Sequence, residues 1–182
     1  MKILITGGNG FIGSKIVELL GRKHSITILD NDDTYGLIKI EELRKLYKWR
    51  QRNWGDNVSR LVGDVRDQMA GLRAFKTVPD LVIHLASYPR AKIVNTNPVE
   101  GVSQIVDGTT NMLWHAKKFG TKKFVYISSS MVYGHFTDNT KEDASTKPIN
   151  IYGEAKLTGE RLVKLFCKDS EMDYNIIRPS GV

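Results

Sequence analysis

Short apolar runs alternate with longer amphipathic stretches along the whole chain. Ile3-Leu4-Ile5 has the pattern of a buried strand, and after a glycine cluster Ile12, Ile16, Leu19 and Leu20 mark one stripe of a helix over 11–20. Gly21 then predicts a left-handed cap that stops this helix. Ile26-Thr27-Ile28-Leu29 predicts a second strand ending at Asp30, residues 37–52 a polar helix, and Arg60-Leu61-Val62 a short third strand. Leu81-Val82-Ile83-His84-Leu85 is nearly all apolar, as a strand covered on both faces should be. A long helix follows over 99–118, with Pro98 suited to its first turn. Phe124-Val125-Tyr126-Ile127 predicts a fifth strand, 152–167 another helix, and Tyr174 to Arg178 a sixth strand. Strands alternating with helices need right-handed crossovers, so the fold class is α/β with a doubly wound parallel sheet. The longest polar stretch, 134–150, is expected to form a lid or a substrate-facing loop.

Composition narrows the setting. At 182 residues, 41% hydrophobic and 26% charged, the chain is expected to form one ordinary globular domain. No apolar stretch approaches the ~18–20 residues of a membrane span, and Met1 to Ile5 reaches Gly7-Gly8 too soon for a signal peptide. The single cysteine, Cys167, rules out an intramolecular disulfide framework or a multi-cysteine zinc site, and a reducing, cytoplasmic setting is expected. The formal charge is +7, and residues 39–52 hold Lys39, Arg44, Lys45, Lys48, Arg50 and Arg52 against Glu41 and Glu42. This reads as the solvated face of a helix with Leu43, Leu46 and Tyr47 turned inward. A nucleic-acid patch with Tyr47, Trp49 and Trp54 stacking on bases is the sharper alternative, and anionic diphosphate ligands explain the positive potential equally well.

Thr6-Gly7-Gly8-Asn9-Gly10-Phe11-Ile12-Gly13 stands between the first strand and the first helix, with glycines spaced Gly7-x-x-Gly10-x-x-Gly13. Glycines let the backbone turn tightly and let a pyrophosphate approach the helix N-terminus, where free N–H groups and the dipole attract negative charge. Such a trio alone is often only a flexible turn; its strand-to-helix context is what points to a dinucleotide. Asp30 follows Gly13 by 17 residues at the end of the second strand. A carboxylate there accepts hydrogen bonds from the adenosine ribose hydroxyls and repels a 2′-phosphate. No Arg or Lys follows immediately, so the pattern selects NAD. The alternative for Asp30 is a turn former within Asp30-Asn31-Asp32-Asp33.

With these residues in place, the chain resembles the extended short-chain dehydrogenase/reductase family, the NAD-dependent nucleotide-sugar epimerases and dehydratases. Further ordered motifs carry the resemblance: Gly63-Asp64-Val65-Arg66-Asp67, His84-Leu85-Ala86-Ser87, Ser128 to Gly134, Tyr152-Gly153-Glu154-Ala155-Lys156 and Arg178-Pro179-Ser180. The resemblance implies a Rossmann fold and a cofactor site of Gly7, Gly10, Phe11, Ile12, Gly13, Asp30 and Asn31. Asp64 and Val65 would hold the adenine, and Leu85, Ala86 and Ser87 would wall the diphosphate and ribose. Tyr152, Lys156 and Pro179 would meet the nicotinamide end. For Asp64 the alternative is an N-cap for a helix over 65–75. His84 is expected to be a packed strand residue, since no second His, Cys or carboxylate stands at metal spacing.

Tyr152 and Lys156 are four apart on a predicted helix and share one face. A phenol of pKa about 10 is a poor base at neutral pH, but a nearby ammonium and an oxidised nicotinamide favour the phenolate. The resemblance implies that Tyr152 takes a proton from a sugar hydroxyl as hydride passes to NAD, with Ser129 holding that hydroxyl. An epimerase returns the hydride to the opposite face, whereas a dehydratase eliminates water first. Dehydratases resemble one another in an Asp-Glu pair after the catalytic Ser/Thr; here Ser130 and Met131 stand there, which favours epimerisation or simple oxidoreduction. The family's usual Asn-Val-x-Gly-Thr reads Ile105-Val106-Asp107-Gly108-Thr109, so its supporting Asn is absent.

Family members continue past Arg178-Pro179-Ser180 into a smaller region that grips the nucleotide of the sugar substrate. The resemblance therefore implies that most of that pocket is missing here, through a truncated reading frame or completion by another chain. A non-catalytic dinucleotide-binding module is the competing class. Homodimerisation through the 99–118 and 152–167 helices is also implied. Ile105, Met112, Leu157 and Leu162 could supply that face, or could equally be core against the sheet.

Overall fold

The computed structural model describes every residue except Leu37, Asp138 and Val182. Its strands are β1 (Lys2–Thr6), β2 (Ser25–Asp30), β3 (Val58–Val62), β4 (Leu81–His84), β5 (Lys123–Ile127) and β6 (Asp173–Ile177). They form one sheet in the order β3-β2-β1-β4-β5-β6, with every neighbouring pair parallel. The order reverses between β1 and β4, and a crevice opens there at the carboxyl ends of the strands, the usual ligand position in such sheets. This is the doubly wound Rossmann architecture expected from the alternation of patterns.

Alternation along each strand divides the core between the two faces. Leu4, Leu29, Val82, Phe124 and Tyr126 point one way. They are covered by α3 (Gln68–Phe75), α5 (Pro98–Lys118) and α6 (Ile151–Lys168). Ile3, Ile5, Ile26, Ile28 and Ile83 point the other way, under Val17 of α1 (Phe11–Leu20). Ile105, Met112 and Leu157 are buried within the chain, and Leu162 packs against the same core. That stripe is interior packing rather than an open docking face.

Several boundaries differ from expectation for identifiable reasons. Gly21 is right-handed (φ −63°), and its N–H donates to the Val17 carbonyl, so it is not a left-handed cap. A glycine fits because a Cβ there would press on Val58 and the Val17 oxygen. The polar helix α2 runs over Ile40–Gln51, with Glu41 and Glu42 in its first turn and Lys48 and Arg50 in its last, matching the macrodipole. Residue 37, the expected start of that helix, lies outside the described residues. Helix α3 starts at Gln68, capped by the Asp67 side chain accepting from the Met69 N–H; Asp64 is therefore not its N-cap. A short helix, α4 (Ala91–Thr96), was not expected, because Ile93 and Val94 alone make no stripe.

On α2 and its flanking caps, Lys39, Arg44, Lys45, Lys48 and Arg52 are solvated, while Arg50 turns inward. Of the aromatics among these charges only Trp49 is exposed, with the Arg52 guanidinium 4.4 Å from its ring centre. Among the described residues no helix is long and apolar enough to cross a membrane.

Candidate active site

A cleft of about 730 Å³ follows the carboxyl ends of the strands. It has a backbone end, built by the loop between β1 and α1, and a side-chain end, built where α6 meets β5. At the backbone end Gly7 is left-handed (φ +72°), and a Cβ there would lie 2.9 Å from the Ala86 nitrogen. A Cβ at Gly13 would run into the Gly7 carbonyl oxygen. These glycines let the loop pass close under the segment after β4 and fold back on itself. The first-turn amides of Phe11, Ile12 and Gly13 have no intrahelical carbonyl to bind, and Gly10 provides no side-chain cap. Unsatisfied donors and the positive end of the helix dipole thus face the cleft together.

Asp30 stands at the end of β2. One of its carboxylate oxygens accepts from the Asn9 N–H and the other from the Asp32 N–H, both at 2.9 Å. The bond to Asp32 is a side-chain turn, so the turn-forming and cleft-lining readings of Asp30 both hold. Burial pushes this carboxyl above its ordinary value, against the two backbone donors that pull it down. Asn31 lines the cleft beside it, and its side chain accepts from the Asp33 N–H.

Across the cleft, Leu85, Ala86 and Ser87 form the wall after β4. The Ala86 N–H donates to Thr6 Oγ1, which is 2.7 Å from His84 Nδ1; His84 Nε2 lies 3.2 Å from Thr109 Oγ1. Burial drives the His84 imidazole down to about 3, so it is a neutral brace between β1 and α5. Gly63 and Val65 reach the cleft, but Asp64 is not brought to its wall. The Asp64 carboxylate is taken up by Arg66, which bonds it through its backbone N–H and its guanidinium. Burial pushes the Asp64 carboxyl up, but these bonds outweigh it and hold the group below its ordinary value.

At the side-chain end the Asn150 side chain caps α6 by accepting from the Gly153 N–H, which starts the helix just before Tyr152. Tyr152 and Lys156 then face the ends of β5 and β6, close to Ser129 and Pro179. Lys156 is 4% exposed; its Nζ donates to the Ile127 carbonyl at 2.9 Å and lies 5.9 Å from the Tyr152 ring centre. Burial lowers this amine to about 7, with the nearby Glu160 carboxylate opposing the shift. Burial raises the Tyr152 phenol, with the Ser129 hydroxyl opposing the shift. Ser129 Oγ also accepts from the Met131 N–H at 3.2 Å. The arrangement places a phenol, a hydroxyl and a buried amine where an alcohol could lose a proton.

Of the catalytic and cofactor-site residues expected from sequence, all but Asp64 line one cleft. Others were missed. Arg50 reaches from α2 to donate to the Asn9 carbonyl at 2.6 Å; its signal was a single base on the inward face of a basic helix. Tyr35 and Tyr88 meet across the cleft with ring centres 4.1 Å apart, and no local pattern pairs them. Gln104 is 3% exposed beside the cleft, and its Oε1 has no partner among the described residues.

The profile of the NAD dependent epimerase/dehydratase family matches residues 3–182. The chain belongs to that family. It is 31% identical over 179 residues to the bifunctional UDP-glucose 4-epimerase and UDP-xylose 4-epimerase 1 of Pisum sativum, covering 97% of this chain and 50% of that one. The UDP-glucuronic acid 4-epimerase of Bacillus cereus, solved with UDP-glucuronic acid and NAD, superposes with a TM-score of 0.86 at 25% identity. That match covers 98% of this chain and 56% of the other. The UDP-glucose 4-epimerase of Thermus thermophilus, solved with NAD, gives 0.82 at 27% identity over 98% of this chain and 54% of that one. The chain thus spans about half the length of the relatives it matches.

NAD is the cofactor of the family, and the cleft of this member fits it. The uncapped amides of Phe11, Ile12 and Gly13 suit a diphosphate. The Asp30 carboxylate suits ribose hydroxyls, and the orphaned Gln104 Oε1 offers a further acceptor on the wall.

Proposed function

We propose that this family member is an NAD-dependent nucleotide-sugar epimerase acting on a nucleoside-diphosphate sugar. The observation that carries the reading is the convergence of Ser129, Tyr152 and Lys156 on one end of a cleft whose other end suits a dinucleotide. NAD, when bound, supplies the redox chemistry by accepting a hydride from a sugar carbon and returning it. The chain's own residues handle the proton. Ser129 Oγ orients the sugar hydroxyl, and Tyr152 Oη takes its proton and later gives it back. Lys156 favours the phenolate by its charge and fixes its distance from β5 through Ile127.

Epimerisation is favoured over dehydration by the carboxylates. Among the described residues lining the cleft these are Asp30 at the end of β2 and Asp33 just beyond it, whereas Ser130 and Met131 stand beside Ser129. Elimination of water needs a proton donor and acceptor at the sugar, and neither Ser130 nor Met131 supplies one. The same reading treats these residues as one NAD-binding domain in a reducing, cytoplasmic setting, with Cys167 its lone thiol. It also includes a homodimer through α5 and α6. The outward residues Trp114 and Leu165, both exposed, take the place of the buried stripe as its apolar contacts.

The test has three measurements. Calorimetric titration with NAD should show saturable binding to folded protein. Incubation with UDP-glucose and NAD should yield UDP-galactose by NMR or chromatography. Absence of NAD binding in folded protein removes the reading; binding without conversion of any nucleotide sugar leaves a dinucleotide-binding module. Sedimentation of a monomer at micromolar concentration removes the dimer.

A further inference from the structure

Two successive residues at the end of β5 are each fastened to α6. Ile127 accepts at its carbonyl from Lys156 Nζ at 2.9 Å, and Ser128 Oγ donates to Glu160 Oε1 at 2.6 Å. The residues that hold them, Lys156 and Glu160, continue the spacing of four from Tyr152, so the three form one stripe along the helix. The first two were legible as a motif; the third was not.

Glu160 is fully buried, and a carboxylate so placed must be paired. Arg178, at the end of β6, grips it with two parallel bonds, Nε to Oε1 at 2.8 Å and Nη2 to Oε2 at 2.7 Å. The remaining nitrogen, Nη1, donates to the Tyr133 hydroxyl at 2.7 Å and to the Glu142 carbonyl at 3.0 Å. One guanidinium therefore ties α6 to the end of β6 and to the 134–150 loop. The planar fork of an arginine suits this, whereas a lysine would satisfy only part of it.

We propose that Glu160 and Arg178 are positioning residues of the site. They clamp the end of β5 against α6, and the Glu160 carboxylate is the counter-charge that keeps Lys156 an ammonium under Tyr152. The proposal rests on the reading of Tyr152 as the proton acceptor. The groups facing Lys156 are Tyr152 and Glu160 from α6, the Tyr126 ring from β5 at 5.3 Å, and His84 from β4. His84 is neutral, and burial raises both phenols, so without bound cofactor neither tyrosine is charged at neutral pH. Glu160 is thus the anion among them. Without it, only the bond to the Ile127 carbonyl would oppose the burial of the amine, and Lys156 would lose its proton, and with it its influence on the phenol, at lower pH.

The test is the titration of Lys156 itself in the full chain, without sugar. Lysine labelled with ¹³C at Cε gives a Lys156 signal, assigned by its loss in Lys156→Met. In Glu160→Gln its midpoint should fall by one pH unit or more. Because that variant leaves Arg178 facing a neutral amide, Glu160→Met/Arg178→Met removes both charges with little change in volume. There the midpoint should fall by half a unit or more. A midpoint that stays or rises in either folded variant overturns the proposal, since loosened packing would admit water and raise it. Failure of both variants to fold would also overturn it, making the pair a stability element alone. Because no turnover is read, absence of epimerase activity would count against the proposed function and not against this result.

Discussion

The two ends of the cleft are held open by different means. At the Gly7–Gly13 end the donors are backbone amides, and the requirement is negative: no Cβ at Gly7 or Gly13, no cap at Gly10. At the Tyr152 end the groups are side chains, two of them ionisable and buried, each kept in place by a partner from a different element. A backbone site tolerates no added atom but carries little buried charge. A side-chain site carries the cost of desolvating its charges and needs a surrounding network to offset it. Substitutions at the two ends should therefore fail in different quantities.

The largest effect belongs to Tyr152→Phe. Removing the phenol oxygen takes away the proton acceptor and nothing from the Gly7–Gly13 cradle, so turnover should fall roughly 10²–10⁴-fold. NAD affinity should stay within about threefold, because one hydrogen-bonding group far from the diphosphate is lost. Rates from nucleotide-sugar conversion and Kd from calorimetry check the pair. Equal losses in both would mean the two ends are not separable.

Gly13→Ala is the converse experiment. Its methyl group would meet the Gly7 carbonyl, and the loop must shift to admit it. Displaced amides no longer converge on a diphosphate, and NAD affinity should fall about 100-fold, on the order of 3 kcal/mol of lost charge-assisted bonding. The Lys156 titration should not move. Wild-type affinity in this variant would show that the cradle does not bind the cofactor.

Lys156→Met separates the cost of a buried charge from its use. The folded-state pKa of about 7 lies below the ordinary 10.5, so the unfolded chain binds more protons between those values. The penalty for holding an ammonium is complete below about pH 7 and disappears as pH rises toward 10.5. Methionine removes that penalty but loses the bond to Ile127, so the variant should be about 1–3 kcal/mol more stable at pH 6. The gain should shrink by pH 9. Urea unfolding at both values reads this, and a variant less stable than wild type at pH 6 would mean the amine is not a strained group.

The same contrast explains what was legible in the chain. The doubly wound parallel sheet was readable from the alternation of Ile3-Leu4-Ile5 and its successors with amphipathic helices, since period and crossover handedness leave few topologies. The glycine loop was readable because a missing Cβ is a local property of residues six apart. Tyr152 and Lys156 were readable because helical spacing joins them. Asp64 and Asp67 differ only in which one the backbone of α3 selects as its cap, a choice decided by tertiary packing. Other contacts join distant elements: Arg178 meets Glu160 across 18 residues, and Thr6 meets His84 across 78. No local pattern encodes such meetings.

The smallest expected effect is at Asp30, where the two kinds of site overlap: a buried side chain oriented by the backbone amides of Asn9 and Asp32. Ribose hydroxyls donate to the carboxylate, so NAD binding favours its ionised form. Burial raises the pKa in the free protein, and cofactor affinity should therefore weaken as pH falls through that raised value. Asp30→Asn keeps the shape and one acceptor oxygen but no charge. Its affinity should be about tenfold weaker at neutral pH, one charge-assisted bond of roughly 1.4 kcal/mol, and flat with acidification. Calorimetric Kd values from pH 7.5 down to the lowest pH at which the fold persists measure both features. A wild-type affinity as flat as the variant's would mean that the Asp30 charge is consumed by the Asn9 and Asp32 amides, leaving it a turn former rather than a ribose acceptor.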